Sequence, residues 1–446
     1  MTKRQRAEVG SGFGTVHRAP AIAAMILLLS LSEIPSPPTV AALSTLAPPP
    51  TAAGWGEVWT STKKKSARRL QSSGGRDTTT VGTLTVPSVG CGTIAWDDGS
   101  PELASLVSSA LEGGGAFFDT GERYGPHRKT ALGLGWGGTE SLIAGLLKEA
   151  AGAGPGPSPP AVVATKFTPA PLRTTAKSVV DACEKSRRRL GVDSIDLYQI
   201  QMPDIVKPLR SFGLDASHDE AYWDGLAECY HSGIVKNVGV SNYGPTLLER
   251  CHSHLAKRGV PLASNQIAYS LVGRGDGAQE TLDKCNELGV KVLAYYPLAM
   301  GLLTGKYTSS DDRAGAPSLS SSKRSGLERR DLERYARGVG GGGGTVPPQG
   351  AGDLLRAMED IARQRSKSVA QVALNYVVCK GAIPIPGARD AAQLEDNLGA
   401  SGWRLSPGEI ARLEREADKL SQFEGAGFKR SNAKFVGYGL ETWSLT

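Results

Sequence analysis

The chain lacks most of the features that assign a function quickly. None of its six cysteines (Cys91, Cys183, Cys229, Cys251, Cys285 and Cys379) forms a Cys-x-x-Cys pair, so neither a disulfide framework nor a zinc site is expected. Cys91, at the mouth of the first expected strand, reads as a small buried hydrophobe, with redox sensing as the alternative. There is no Asn-x-Ser/Thr sequon, which disfavours a glycosylated secreted protein, and no internal repeat. No run after residue 80 is apolar enough to cross a membrane. Net charge is also scarce in the main body. Of the formal +7, residues 1–50 carry +2 and residues 51–80 carry +4, so only +1 remains beyond them. A near-neutral body has no nucleic-acid footprint.

What is present begins with an unusual N-terminus. Basic residues precede the apolar run Ala21 to Leu31, and prolines and small residues follow. This pattern suits a targeting segment over residues 1–50. A plastid is the expected destination; the secretory pathway and the mitochondrion are the alternatives. Residues 51–84, rich in Pro, Ala, Ser, Thr and Lys, read as a disordered leader.

From about residue 85 strands and helices alternate. The apolar runs are Val86–Cys91, Ala116–Asp119, Val162–Lys166, Ile195–Ile200, Val235–Val240, Leu262–Gln266, Val290–Tyr295 and Ala382–Ile385. Helical spacing lies between them: Leu103–Glu112, Thr139–Ala150 with Thr139 as a cap, Ser178–Leu190, Tyr222–Ser232, Thr246–Arg258, Gln279–Leu288, Ala351–Gln364 and Val369–Val378. Continuously apolar strands need both sheet faces covered. Eight such units predict an α/β fold, a (β/α)8 TIM barrel over residues 85–425 with a C-terminal tail at 426–446. An open doubly wound sheet is the alternative. The Gly/Pro stretch 151–160 is expected to be a loop, and the polar insert 308–350 a disordered segment or a mobile lid.

Barrel active sites lie at the carboxyl ends of the strands. Asp119, Lys166 and Gln201 occupy those ends on the second, third and fourth expected strands, and Tyr124 lies five residues after Asp119. An ammonium beside a phenol favours the phenolate and lowers its pKa from about 10. Such a phenol can give a proton to a developing alkoxide. Gly133-Leu134-Gly135-Trp136-Gly137-Gly138 fits G-x-G-x-x-G but follows no strand, so it reads as a loop near the substrate mouth.

Several phrases now stand in order at strand ends: Gly90-Cys91-Gly92-Thr93, Phe118-Asp119-Thr120-Gly121-Glu122-Arg123-Tyr124-Gly125, Gly239-Val240-Ser241-Asn242-Tyr243, Ser264-Asn265-Gln266, Leu302-Leu303-Thr304-Gly305-Lys306-Tyr307 and Pro384-Ile385-Pro386-Gly387-Ala388-Arg389. With them the chain resembles the aldo-keto reductases, in the branch that includes plant plastid reductases and potassium-channel β-subunits. The resemblance implies NADPH/NADP+ as cofactor and a small-molecule carbonyl as substrate. It implies Ser241, Asn242 and Gln266 on the carboxamide and Tyr295 stacked on the nicotinamide. Leu298, Ala299, Met300 and Lys306 are implied along the pyrophosphate, and Gly387, Arg389, Gln393, Asp396 and Asn397 at the adenosine end. Gly92, Thr93 and Asp119 complete the implied cofactor set. Arg389 suits a 2′-phosphate, because guanidinium matches phosphate geometry.

One position departs from the family. Its usual histidine after the fourth strand is here Gln201, an amide that donates hydrogen bonds but delivers no ionisable proton. A slow reductase is therefore expected, with an NADP(H)-binding sensor of little turnover as the alternative. His127 and His218, in nearby loops, read as surface residues that can swing in. Met202, Trp136, Trp223 and Tyr296, or Phe423, Phe428, Phe435 and Trp443 of the tail, can form an aromatic mouth. The oligomeric state is not legible.

Overall fold

The computed structural model describes residues 77–97, 100–112, 116–125, 136–152, 161–170, 172–204, 218–275, 277–305 and 351–421. The expected targeting segment, most of the leader, the insert, His127, Lys306 and the tail aromatics lie outside them.

Eight parallel strands run β3 (Cys91–Gly92), β4 (Ala116–Asp119), β5 (Ala161–Phe167), β6 (Ile195–Ile200), β7 (Val235–Ser241), β8 (Leu262–Ala268), β9 (Lys291–Tyr295) and β10 (Ile383–Pro384). Each pairs with its sequence neighbours. The sheet closes on itself through a parallel bridge between Gly92 and Gly387, and through the N–H groups of Gly90 and Gly92, which donate to Pro384 O at 2.9 Å and Pro386 O at 3.0 Å. Closure needs glycine here: a Cβ on Gly90 would lie 2.9 Å from Ile385 Cγ2, and one on Gly92 would lie 3.0 Å from Ile385 O.

β4 and β8 are buried at every position, as strands covered on both faces must be. Inward residues Phe117, Ala164, Leu197, Leu293 and Ile383 fill the barrel. Outward residues such as Phe118, Tyr198 and Val240 pack in the second apolar layer with the helices. The helices are α1 (Glu102–Glu112), α2 (Gly138–Gly152), α3 (Ala176–Leu190), α4 (Asp219–His231), α5 (Pro245–Ala256), α6 (Ala278–Leu288), α7 (Ala351–Arg365), α8 (Val369–Cys379), α9 (Ala391–Leu398) and α10 (Pro407–Ser421). Local signals set their ends. Thr175 and Ser178 form a capping box on α3, and Ser368 and Gln371 form another on α8.

The first expected strand is corrected. Val86–Cys91 is not one element. Val86 and Pro87 end β2 (Leu84–Pro87), which pairs antiparallel with β1 (Thr78–Val81), and Cys91 opens β3. The hairpin lies partly within the stretch read as leader. Its Val81, Leu84 and Val86 join the barrel interior. Thr83 N–H donates to Asn237 Oδ1 at 2.9 Å, near the amino end of β7, so the hairpin plugs the end opposite the strand carboxyl termini. Thr139 is likewise no cap; it lies inside α2, with its hydroxyl buried and unpartnered. Helices α9 and α10 were not expected. Among the described residues no helix is long and apolar enough to cross a membrane.

Candidate active site

Register brings the expected groups to one mouth. Lys166, at the carboxyl end of β5, is 1% exposed. Its Nζ lies 2.7 and 2.6 Å from the two Asp119 oxygens, 2.7 Å from Thr120 O and 3.0 Å from Tyr124 Oη. An ammonium has three protons for these four acceptors. The two carboxylate oxygens therefore share one, and Thr120 and Tyr124 receive one each. Tyr124 is half-buried, with the ammonium 4.7 Å from its ring centre.

The electrostatics differ from the expectation. The Tyr124 phenol is pushed well above its ordinary value, first by burial and then by the Asp119 charge, with Tyr296 and Tyr295 adding to it. The expected lowering by Lys166 does not prevail, because Asp119 already neutralises the ammonium. Burial also pulls the Lys166 ammonium down, against the upward pull of Asp119. The phenol is thus held in its protonated form, which can donate.

Hydrogen bonds extend this cluster across the mouth. Gln266 Nε2 donates to Asp119 Oδ1 at 2.7 Å, and Ser241 Oγ donates to Gln266 O at 2.8 Å. Asn242 Nδ2 donates to Gln201 O at 3.0 Å, and Tyr295 Oη donates to Asn242 Oδ1 at 2.8 Å. Thr93 donates through N–H and Oγ1 to Asp119 O, each at 3.0 Å. Asn242, Tyr296 and Ala299 have φ of 65°, 54° and 47°. Such backbone is costly outside glycine and gathers at functional sites.

Gln201 is less mobile than its long stem suggests. Its N–H donates to Phe167 O at 2.8 Å, and its side-chain Oε1 accepts from Thr168 Oγ1 at 2.5 Å.

A second group forms around α9. Gly387 is exposed, and Asn397 Nδ2 donates to its carbonyl at 3.4 Å. Arg389 is exposed, and its N–H donates to Gln393 Oε1 at 3.2 Å. Asp396 Oδ1 accepts from Gln371 Nε2 at 3.1 Å. The closure bridge joins this group to β3. Leu298 and Ala299 lead from β9 into a 3-10 turn over Ala299–Thr304, which includes Met300.

Other expectations resolve simply. Trp223 is 1% exposed, with Nε1 donating to Tyr243 Oη at 3.2 Å, so it belongs to the core rather than the mouth. Tyr296, in contrast, is 40% exposed. His218 is tied by Nδ1 to Asp204 Oδ2 at 2.7 Å. Cys91 is buried, and burial pushes its thiol up to about 12, so the protonated thiol is the form favoured at neutral pH. Of the G-x-G-x-x-G phrase, the described part opens α2, where Gly137 has φ 94° beneath the Arg189 side chain.

Sequence reasoning missed Glu122 and Thr168. Glu122 accepts from Thr168 N–H at 2.6 Å and pairs with Arg173 at 2.7 Å. An acid two residues before Tyr124, inside the phrase Phe118–Gly125, was the available signal.

The fold and mouth place the molecule among the (β/α)8 barrels with acid–base groups at the carboxyl ends of the strands. More specifically, the chain belongs to the Aldo/keto reductase family, whose sequence model matches residues 88–418, and it is an oxidoreductase of that family. It is similar to the chloroplastic pyridoxal reductase of Arabidopsis thaliana, 37% identical over 347 residues, which are 76% of this chain and 85% of that protein. It also resembles the aldo-keto reductase str7 of Strobilurus tenacellus, 29% identical over 78% of this chain and 90% of that one. Among solved structures, a Bombyx mori aldo-keto reductase in complex with NADP superposes with a TM-score of 0.53 at 20% identity, covering 79% of this chain and 99% of that one.

Proposed function

We propose that the protein reduces an aldehyde or ketone to an alcohol with NADPH, and that Tyr124 gives the proton. The observation that carries this reading is the 3.0 Å contact of Tyr124 Oη with Lys166 Nζ, itself held by both Asp119 oxygens. When bound, NADPH supplies a hydride to the carbonyl carbon. Negative charge then grows on the carbonyl oxygen and must be met by donors already in place. Tyr124 passes its proton to that oxygen. Lys166 donates to the phenolic oxygen and meets the charge left behind. Asp119 holds Lys166 and balances it. Gln201 contributes an N–H to the carbonyl oxygen.

The residues present suit the cofactor. Ser241, Asn242 and Gln266 offer hydroxyl and amide groups matched to a carboxamide, and Tyr295 offers an aromatic face beside them. Exposed Gly387 leaves its backbone accessible, since a Cβ there would meet nothing nearer than 3.9 Å. Arg389, with Gln393, Asp396 and Asn397 around it, suits the adenosine end and its 2′-phosphate. Gly92, Thr93, Leu298, Ala299, Met300 and Lys306 are assigned to the same cofactor.

An aromatic aldehyde of the pyridoxal type is the favoured substrate. The name of the Arabidopsis thaliana relative supports it, as does a mouth carrying Trp136, Tyr295 and Tyr296. Residues 1–50 are assigned to plastid targeting, 51–76 to the leader and 426–446 to a tail, on the sequence pattern and the chloroplastic relative. A fluorescent fusion of residues 1–80 checks the destination, and cytosolic fluorescence would contradict it. Gln201 favours a second reading, an NADP(H)-holding sensor. Steady-state NADPH oxidation with 4-nitrobenzaldehyde separates the two: turnover supports the reductase, and bound but unoxidised cofactor supports the sensor.

A further inference from the structure

Thr168 lies one residue beyond β5 and is fully buried, yet all three of its polar groups are bonded. Its N–H donates to Glu122 Oε1 at 2.6 Å, its carbonyl accepts from Arg173 Nη1 at 3.0 Å, and its hydroxyl donates to Gln201 Oε1 at 2.5 Å. The direction of the last bond has a physical cause. Gln201 Oε1 is the only acceptor of the Thr168 hydroxyl proton among the described residues. Turning the amide over would bury that proton without a partner, at the full desolvation cost. It would also aim Oε1, an acceptor, at the site where a carbonyl oxygen must sit.

We propose that Thr168 is the positioning residue that keeps Gln201 Nε2, rather than Oε1, toward the substrate, and that Glu122 ties this setting to the proton donor. Glu122 precedes Tyr124 by two residues, and its side chain is 6% exposed. Its carboxylate holds Thr168, and its carbonyl accepts from Gly137 N–H at 2.6 Å. Arg173, stacked 4.3 Å from the Phe167 ring centre, neutralises it. One buried carboxylate thus braces the Tyr124 loop against the residue that orients Gln201. An amide carries a donor on one side and an acceptor on the other, so which of them faces the substrate depends on such a device. The inference rests on the reductase reading above.

The test uses the full chain carrying Thr168→Val, which removes the hydroxyl and keeps the shape and the backbone N–H, and Thr168→Ser, which restores the hydroxyl. Each is made in the wild-type and Gln201→Ala backgrounds, and kcat, KM for 4-nitrobenzaldehyde and the Kd of NADPH are measured. We expect Thr168→Val to lower kcat by about tenfold to a hundredfold, with Kd for NADPH held within about twofold. Thr168→Ser should recover most of the rate. With Gln201→Ala there is no amide to orient, so Thr168→Val should then cost less than about twofold. If Thr168→Val does not fold, Thr168→Ala removes the hydroxyl without adding bulk and carries the same comparison. An active wild type with an unimpaired Thr168→Val, or an equal loss in both backgrounds, overturns the positioning role alone. A wild type that binds NADPH but reduces no carbonyl overturns the reductase reading, and this inference with it.

Discussion

At the scale of single residues, the site is governed by how Asp119 divides its influence. It holds the Lys166 ammonium at 2.6 Å and also raises the nearby phenol, whose pKa burial has already lifted. Tyr124 should therefore form no phenolate up to the ordinary tyrosine range of about pH 10. Tyrosinate absorbance of wild type minus Tyr124→Phe measures this directly. A tyrosinate signal from Tyr124 below about pH 9 would contradict it. The sign follows from the raised value: the protonated, donating form persists as pH rises, and alkaline loss of rate below that range belongs to Lys166, whose ammonium burial pulls down. Gln201→His should raise kcat by about tenfold and leave NADPH affinity unchanged, since the groups assigned to the cofactor lie elsewhere. The gain is modest because the amide is already held by Thr168. An unchanged or lower kcat would show that the amide is not the limiting feature.

At the scale of elements, the hairpin β1–β2 illustrates why barrel ends are harder to read than barrel walls. Ala116–Asp119 and Ile195–Ile200 are strands over the same residues that their apolar runs suggest, because every position but the half-buried Asp196 is buried. Val86–Cys91 misleads because Val86 and Cys91 are both buried but serve different sheets. Their common apolarity hides the break across Ser88–Gly90. Helices α9 and α10 follow the eighth expected strand, Ala382–Ile385, and so lie beyond the alternation that the apolar runs suggest. The site was legible where chemistry is carried by side chains at strand ends, as with Asp119 and Lys166. It was not legible where a role depends on a partner far along the chain, as Thr168 depends on Glu122 and Gln201. Val86→Ala should lower stability by about 2 kcal/mol, since its side chain fills the barrel floor. Denaturant unfolding checks this, and a loss near zero would mean that the hairpin contributes little to the barrel.

At the scale of the whole molecule, the two ends of the barrel have separate duties. The hairpin seals one end, and the other carries the Asp119–Lys166–Tyr124 cluster with the α9 group beside the closure seam. Arg389→Ala should weaken NADPH by roughly tenfold to a hundredfold and NADH hardly at all, because only NADPH carries the extra phosphate. Fluorescence titration with both cofactors decides it, and equal losses would remove Arg389 from the phosphate site. The role proposed for Tyr124 is delivery of the proton in an NADPH-dependent carbonyl reduction. Its most direct test is steady-state oxidation of NADPH by pyridoxal and 4-nitrobenzaldehyde, with wild type and Tyr124→Phe compared at equal cofactor occupancy. Wild type should turn over measurably, and Tyr124→Phe should lose about a hundredfold or more with NADPH still bound. Turnover that survives in Tyr124→Phe would contradict it.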